Sequence, residues 1–205
     1  MEKDLVIGID VGGQTTKCGV VDARGNVIAQ TVIRSDTHTD VAPFIDELAA
    51  ALKRIIADAN AEGRIRGIGA GAPNGNFYKG EIENAPNLTW GGTKKIPFAK
   101  MLSEAMDGIP VSLTNDANAA AMGEMTYGAA RGMKNFIMIT LGTGVAAVSS
   151  STARLFTATT ALPASSATLA PSATTAATAT AERAAAWRRM LPRWASPVPP
   201  ASGWK

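Results

Sequence analysis

The order of apolar and polar residues predicts an α/β fold for the first part of the chain. Three short apolar runs, at 4–10, 17–21 and 27–33, are separated by turns that contain Gly, and such runs indicate strands. Because only short turns link these strands, we expect an antiparallel meander. Apolar residues then recur at helical spacing over 41–56, which predicts a helix that Asp40 can cap.

Strand and helix patterns then alternate further along the chain. In order, they predict a strand at 66–70, a long polar loop to about 95, a helix at 97–106, a strand at 111–113, a helix at 117–129 and a strand at 135–141. A polar loop of this length is typical of segments that carry function.

The composition changes near Val145, and the change limits where a function can be sought. Residues 146–205 are mostly Ala, Thr, Ser and Pro, with no Asp, Asn, Gln or Ile. Residues 1–145 carry 14 Lys and Arg against 16 Asp and Glu (−2), and residues 146–205 carry 6 against 1 (+5), which together give the net charge of +3. The positive charge therefore comes from the tail, and nucleic-acid binding is not expected. We expect the tail to be disordered, with a marginal helix near 181–190.

Other features favour a cytoplasmic protein. Cys18 is the single cysteine, so we expect no internal disulfide, and its apolar alternating surroundings predict a core position. The start of the chain is acidic and does not resemble a signal peptide, and no stretch predicts a membrane span. His38 lies in a polar connection and is predicted to be an exposed loop residue.

The segment 8–17, Gly-Ile-Asp-Val-Gly-Gly-Gln-Thr-Thr-Lys, carries the first candidate site. A strand ends at a carboxylate, and two glycines then let the backbone bend close to a ligand. Backbone N–H groups in such a turn can hold an anion, and Asp10 could hold Mg²⁺ through water. The candidate residues are Asp10, Gly12, Gly13, Thr15, Thr16 and Lys17. A plain hairpin with glycine at positive-φ positions is the alternative, and both interpretations stay open.

Two further segments place polar residues at the ends of strands. Thr140, Gly142, Thr143 and Gly144 form a second Gly/Thr turn after a strand, and the two turns together indicate two phosphate clamps. Asp116 stands at the join of a strand and a helix. It is either an N-cap or a general base that takes a proton from a substrate hydroxyl, and both roles can hold at once.

These motifs, in this order, resemble the ROK family (repressor, open reading frame, kinase) over residues 4–145. The resemblance implies the first lobe of an actin-like ATPase (ribonuclease H-like) fold, an α/β lobe with a mixed sheet, followed by a truncated second lobe. It implies three parts, an N-terminal lobe at 1–114, an interlobe helix and first strand of the second lobe at 115–145, and a tail outside the family at 146–205.

The resemblance also implies an activity, the transfer of a phosphoryl group from ATP, with Mg²⁺, to a hexose such as glucose. Asp116 matches the catalytic base of the family, and the segments 10–17 and 140–144 match its phosphate segments. The residues implied in sugar binding are Asn115, Asn74, Gly75 and Asn87. Asn74 stands where the family usually has glycine. Trp90 either walls the sugar site or pins a loop, and the sequence does not separate these roles.

Residues 146–205 depart from the family pattern. The resemblance implies a Gly-Glu-Leu-Gly-His segment and a cysteine-rich zinc site there, and neither is present in the sequence. We interpret the tail as the family's C-terminal half read out of frame. Possible codons for residues near 163–169 and 182–190, shifted by one base, encode Ala-Gly-Glu-Leu-Gly-His-Val and Thr-Gly-Gly-Cys-Leu-Glu-Thr-Tyr. A genuine Ala/Thr/Ser/Pro linker is the alternative.

This interpretation has consequences for activity and assembly. We expect a glucokinase lineage whose present chain is inactive or nearly so, with no zinc ligands and with much of any family dimer interface lost. The strand at 136–141 would lose its sheet neighbours and form an exposed apolar edge that favours aggregation. A non-catalytic fragment that still binds sugar or nucleotide is an alternative. A transcriptional regulator is less favoured, because Met1–Lys3 leave no room for a helix-turn-helix.

Overall fold

The computed structural model describes residues 4–141, 144–151, 154–156 and 162–163. In chain order its elements are β1 (Leu5–Val11), β2 (Thr15–Val21), β3 (Val27–Arg34), α1 (Val41–Asp58), β4 (Ile65–Ala72), β5 (Gly75–Asn76), β6 (Glu81–Ala85), β7 (Gly92–Ile96), α2 (Phe98–Ala105), β8 (Val111–Asn115), α3 (Asp116–Thr126), β9 (Phe136–Leu141), β10 (Gly144–Ser151), β11 (Arg154–Phe156) and β12 (Leu162–Pro163). Among the described residues, no helix is both long and apolar enough to cross a bilayer.

A five-stranded mixed sheet, in the order β3-β2-β1-β4-β8, forms the centre of the fold. The predicted meander is confirmed, because β1 pairs with β2 and β2 with β3 in antiparallel fashion. β1 pairs with β4, and β4 with β8, in parallel. The carboxyl ends of β1, β4 and β8 therefore meet at one edge of the sheet, where polar residues follow each strand.

The apolar core lies between one face of this sheet and the helices α1 and α2. Leu5, Ile7 and Ile9 alternate along β1 and are buried in one cluster with Phe44 and Leu48 of α1. Burial of each such side chain stabilises the fold by about 1.5–3 kcal/mol. Cys18 is 2% exposed in the same cluster, which confirms the predicted core position.

The start of α1 differs from the prediction in one detail. Asp40 occupies the N-cap position with an extended backbone (φ −127°), but its side chain makes no capping hydrogen bond. Asp40 is therefore the N-cap residue, as predicted, but without a side-chain hydrogen bond to the helix. The helix is held instead by its apolar face, because it buries Phe44, Leu48 and Leu52 against the sheet.

The long polar loop predicted after β4 is a small three-stranded antiparallel sheet, in the order β5-β6-β7. Sequence patterns miss these strands because β5 has two residues and β7 exposes four of its five residues. Neither strand therefore has the regular alternation that identifies a half-buried strand. The sheet places the residues between β4 and α2 beside the carboxyl edge of the central sheet.

The strand β9 does not lack neighbours, contrary to the prediction. It pairs with β10 in antiparallel fashion, from Leu141 opposite Val145 to Phe136 opposite Ser150, and β10 continues beyond residue 145. Phe136 and Met138 pack toward α3, whereas Ile137 and Ile139 are 73% and 54% exposed. The strand is thus paired, yet one apolar face is open to solvent. The predicted disorder and helix of the tail fall mostly on residues outside those described.

Candidate active site

One row of residues crosses the central sheet at its carboxyl edge. Asp10 pairs with Lys17 of β2 on one side and with Gly71 of β4 on the other, and Gly71 pairs with Thr114 of β8. Adjacent strands are about 4.8 Å apart, so the backbones at Asp10 and Thr114 are about 10 Å apart. Since Asp116 follows β8 by one residue, the sheet brings two carboxylates and one lysine to the same edge.

Gly71 lets the helix α3 approach this row closely. A Cβ atom at Gly71 would lie 3.2 Å from the Cβ of Ala119 and 3.4 Å from the Cα of Asp116. The first turn of α3 therefore lies directly over β4. The sequence offered no signal for this contact, because it joins residues of two elements that are distant in the chain.

The β1–β2 turn (residues 12–14) uses its glycines for close approach. Gly12 and Gly13 are not among the residues with positive φ, so positive φ is not the reason for glycine at these positions. The choice between a plain hairpin and an anion site stays open. A Cβ atom would lie 2.7 Å from the carbonyl oxygen of Thr15 at Gly12, and 2.6 Å from that of Asn87 at Gly13. Only a residue without a side chain fits such positions.

The three residues that follow the turn do not share one environment. Thr15 and Lys17 are half-buried and alternate with Thr16, which is fully buried. The hydroxyl of Thr16 lies 2.7 Å from that of Ser35, inside the fold. The hydroxyl of Thr16 is therefore enclosed on the core side of β2, and the contact of Thr16 with a nucleotide stays a prediction. Thr15 and Lys17 remain predicted contacts.

The N-terminus of α3 assigns different roles to Asn115 and Asp116. Asn115 is the N-cap, and its side-chain oxygen accepts hydrogen bonds from the backbone N–H groups of Ala117 (3.0 Å) and Asn118 (3.4 Å). The N-cap position thus belongs to Asn115, although Asp116 Oδ1 also accepts from the N–H of Ala117, at 2.8 Å. Asp116 is half-buried in the first helical turn, where the helix dipole stabilises negative charge.

The residues between β4 and β6 are built around Asn74 and Gly75. Asn74 has φ +53°, a left-handed conformation that favours glycine, which explains why the family usually has glycine there. Its side-chain N–H donates to the backbone oxygen of Asn84, so Asn74 supports the loop, and its contact with a sugar stays a prediction. A Cβ atom at Gly75 would lie 2.4 Å from the oxygen of Thr114, which places this turn against the end of β8.

Trp90 pins the loop that carries Asn87. It is 2% exposed and stacks on Phe44, with ring centroids 4.6 Å apart and an interplanar angle of 22°. It also stacks on Phe98 at 6.5 Å. A side chain enclosed in this way has no face left for a sugar. Of the two roles that the sequence left open for Trp90, the structure therefore favours the one in which it anchors the loop. Asn87 itself is exposed beside Gly13.

His38 is not the exposed loop residue that was predicted. Its side chain is 16% exposed, and Nε2 lies 2.6 Å from a carboxylate oxygen of Glu47 in α1. Its ring also meets the edge of Phe44 at 5.9 Å. The polar surroundings of His38 in the sequence gave no indication of these partners, because both lie in the following helix.

The second Gly/Thr turn lies only partly within the described chain. β9 ends at Leu141 and β10 begins at Gly144, so Thr140 and Gly144 lie in paired strands, while Gly142 and Thr143 are outside the described residues. Their proposed role at a phosphate stays a prediction. The carboxylate of Asp10 is an oxygen ligand of the kind that Mg²⁺ prefers, and this role also stays a prediction.

Comparison with known proteins gives a consistent match. The model of the ROK family matches residues 6–158. The chain is 36% identical over 142 residues to a glucokinase of Streptomyces coelicolor, covering 69% of this chain and 42% of that protein. It is 37% identical over 141 residues to a glucokinase of Halalkalibacterium halodurans, covering 68% and 42%.

A solved structure shows the same fold. The ROK family glucokinase of Streptomyces griseus, in complex with glucose and AMPPNP, superposes with a TM-score of 0.62 and 31% identity, covering 74% of this chain and 46% of that one. The chain thus spans less than half the length of the relatives it matches. The described residues have the α/β fold of the actin-like ATPases with its mixed sheet, and the chain belongs to the ROK family.

Proposed function

We propose that this chain derives from an ATP-dependent hexose kinase, and that glucose is its substrate. The observation that carries the proposal is the row Lys17–Asp10–Gly71–Thr114, which ends beside Asp116 at one edge of the sheet. The glucokinases named above support ATP and glucose as the two ligands, because the Streptomyces griseus protein was solved with glucose and AMPPNP.

In this proposal each group at the edge has one task in phosphoryl transfer. Asp116 accepts the proton of the sugar hydroxyl as that oxygen attacks the terminal phosphorus of ATP, and ADP leaves with the bond electrons. The β1–β2 turn and Lys17 hold the phosphates, and Mg²⁺, held by Asp10 through water, would neutralise their charge. Little covalent work falls to the protein, so positioning supplies most of the rate.

We further propose that the present chain lacks most of this activity. Residues 146–205 contain neither the Glu and His that the family resemblance implies at the sugar nor any cysteine for zinc. With this out-of-frame interpretation of the tail, we propose that the chain has three parts: 1–114, 115–145 and 146–205. It predicts that the gene, read one base earlier than the present frame after about codon 145, encodes both missing motifs in order.

The nucleotide sequence of codons 143–205 and a paired assay test these statements. The purified chain should show no robust turnover in a coupled ATP/glucose assay, whereas a chain with the frame restored should phosphorylate glucose. In the restored chain, Asp116→Asn should lower kcat by about 10²–10⁴-fold, the usual effect of losing a general base. A DNA sequence whose shifted frame lacks the cysteines would remove the frame interpretation, and an unaffected Asp116→Asn enzyme would remove the proposed base.

A non-catalytic binder is the second candidate. The first lobe retains the Asp10 row, the β1–β2 turn and Asp116, so contacts to both ligands persist without the second lobe. Calorimetric titration of the chain with glucose and, separately, with ATP–Mg²⁺ distinguishes the two cases. Measurable heat without turnover favours the binder, and no heat with either ligand favours a fragment with no function of its own.

A further inference from the structure

Two loops at the candidate site touch each other across a long stretch of sequence. The β1–β2 turn and the loop at 86–91, called here the Asn87 loop, approach so closely that a Cβ atom at Gly13 would lie 2.6 Å from the Asn87 oxygen. In the proposed kinase the first loop serves the phosphates and the second serves the sugar. What holds these loops in register therefore decides how the two reacting groups meet.

Ser35, the residue after β3, contacts both loops. Its backbone N–H donates to the oxygen of Gln14 at 2.8 Å, and its hydroxyl lies 2.7 Å from that of Thr16. Its backbone oxygen lies 3.4 Å from the hydroxyl of Thr89, whose single proton is shared with a nearer acceptor, the oxygen of His38 at 2.6 Å. Ser35 is fully buried, and its three polar groups contact the β1–β2 turn (through Gln14), the adjoining strand β2 (through Thr16) and the Asn87 loop (through Thr89).

Thr89 also contacts a second residue of the segment that follows β3. Its hydroxyl donates most strongly to the backbone oxygen of His38, at 2.6 Å. His38 is in turn fixed to α1 through Glu47, at 2.6 Å, and through Phe44. The segment from Ser35 to His38 is therefore anchored to the core, and Thr89 joins the Asn87 loop to this anchored segment.

We propose that Ser35 is a positioning residue that couples the β1–β2 turn to the Asn87 loop, with Thr16 and Thr89 as its two side-chain contacts. A displacement of either loop breaks a hydrogen bond of one buried serine, so the loops keep a common register. The proposal rests on the proposed function only where it assigns the loops to phosphate and to sugar. The coupling itself is a property of the folded chain without ligand.

Each loop also has its own local hydrogen bonds. The alternative to coupling is that these bonds hold each loop independently of the other. Gly12 N–H donates to Thr15 at 3.1 Å, Leu88 N–H to Ala85 at 3.1 Å, and Gly91 N–H to Leu88 at 2.8 Å. If these local bonds were sufficient, damage to one loop would leave the other unchanged. Amide hydrogen exchange reads out the opening of each loop separately and needs no ligand.

The test uses pairs of variants in the full chain. Thr89→Val removes the hydroxyl at nearly constant volume, whereas Thr89→Ser keeps it. The amides followed are those of Gly12, in the β1–β2 turn, and of Ser35, which donates to that turn. We expect Thr89→Val to speed their exchange by about threefold to tenfold, the range that follows from losing one hydrogen bond. Thr89→Ser should stay within about twofold of the parent, because the hydroxyl is retained.

The reciprocal pair is Thr16→Val and Thr16→Ser, followed at the amides of Leu88 and Gly91. Here Thr16→Val should speed exchange in the Asn87 loop by a similar factor, and Thr16→Ser should restore protection. Thr93→Val, on the exposed strand β7, is the matched control and should change none of these amides. The coupling is overturned if amide exchange is faster only in the segment that carries the substitution, or if it is equally faster in the Ser and Val variants. A failure of the chain to bind glucose or ATP would count against the proposed function alone.

Discussion

Single atoms decide the spacing of residues at the candidate site. Gly13 lets the Asn87 loop reach the β1–β2 turn, because that position has no room for a Cβ atom. Gly71 lets α3 lie over β4, where a Cβ atom would make a tight contact of 3.2 Å with Ala119. Neither glycine is needed for its backbone conformation, since both lie outside the positive-φ region. The same residue type can thus serve for turn geometry at one position and for close approach at another.

Gly13→Ala should destabilise the fold through this close approach. The added methyl group would lie 2.6 Å from the Asn87 oxygen, so the loop must move, and overpacking of this kind costs about 1–3 kcal/mol. Gly19→Ala is the matched control on β2, because its nearest neighbours would be at 3.5 Å and 3.6 Å, which is ordinary contact. Urea unfolding measures both free energies, and equal stability of the two variants would contradict the argument.

Cys18 should be unreactive while the chain is folded. Burial, and to a smaller extent the negative charge of Asp10, raises the pKa of Cys18 to about 12. We expect no labelling by a disulfide reagent at pH 8 in the native state, and rapid labelling in denaturant. An unfolded thiol ionises near pH 8.5, so the stability due to this shift is complete below about pH 8.5 and is lost as the pH rises toward 12.

The control for this pH dependence is Cys18→Ala. Its free energy of unfolding should lack the decline above about pH 8.5 that the parent shows, because the variant has no thiol to ionise. Fast labelling of the native parent at pH 8 would show that Cys18 is accessible and would contradict its burial.

At the scale of elements, β9 shows how one strand can present two opposite environments. Phe136 and Met138 pack with Val148 and α3, while Ile137 and Ile139 face solvent. Side chains alternate across a strand, so this division follows directly from strand geometry. We expect an exposed apolar sheet face of this kind to favour self-association.

The double variant Ile137→Lys/Ile139→Lys should therefore reduce self-association without loss of stability. Lysine on the open face opposes stacking by charge repulsion and removes no packed side chain. Light scattering over a concentration series, together with thermal melts, measures both effects. Met138→Lys is the matched variant on the packed face, and it should lower the melting temperature. If all three lysines had the same effect, the two-sided description of β9 would be wrong.

At the scale of the whole molecule, one apolar cluster joins the central sheet, both core helices and the small sheet. The cluster includes residues of β1, α1, α2 and β6, together with Trp90 of the Asn87 loop. The loops of the candidate site are thus attached to the same core that stabilises the fold. We expect the described part of the chain to unfold as a cooperative unit.

Leu48→Ala tests this cooperation from the centre of α1. The side chain is fully buried, and its truncation should cost about 2–5 kcal/mol of the free energy of unfolding. Ile28→Ala, at an exposed position on β3, should stay within about 0.5 kcal/mol of the parent. Trp187, Trp194 and Trp204 are replaced by Phe so that Trp90 alone reports by fluorescence. In this background, far-ultraviolet circular dichroism and Trp fluorescence should shift to the same extent in Leu48→Ala. Separate transitions for the two probes would show that the Asn87 loop is not part of the cooperative core.

Several features of the candidate site were predictable from the sequence because their signals are local. The strand before Asp10, the glycine turn after it, and the helix that begins at Asp116 each depend on residues within a few positions of one another. The family resemblance rests on the same segments and is confirmed by the ROK match over 6–158. The burial of the Thr16 hydroxyl was not foreseen, because strand alternation, and not the turn, directs it to the core.

The sequence by itself thus determined the family, the α/β class, the meander of β1 to β3 and the apolar face of α1, since periodicity and short turns encode these directly. Only the tertiary structure decided that Trp90 pins a loop, that His38 meets Glu47, and that Gly13 touches Asn87. It alone also showed that the polar segment after β4 forms a sheet. The physical reason is that these contacts join residues far apart in the chain. Their partners are chosen when the whole core closes, and no local pattern records that choice.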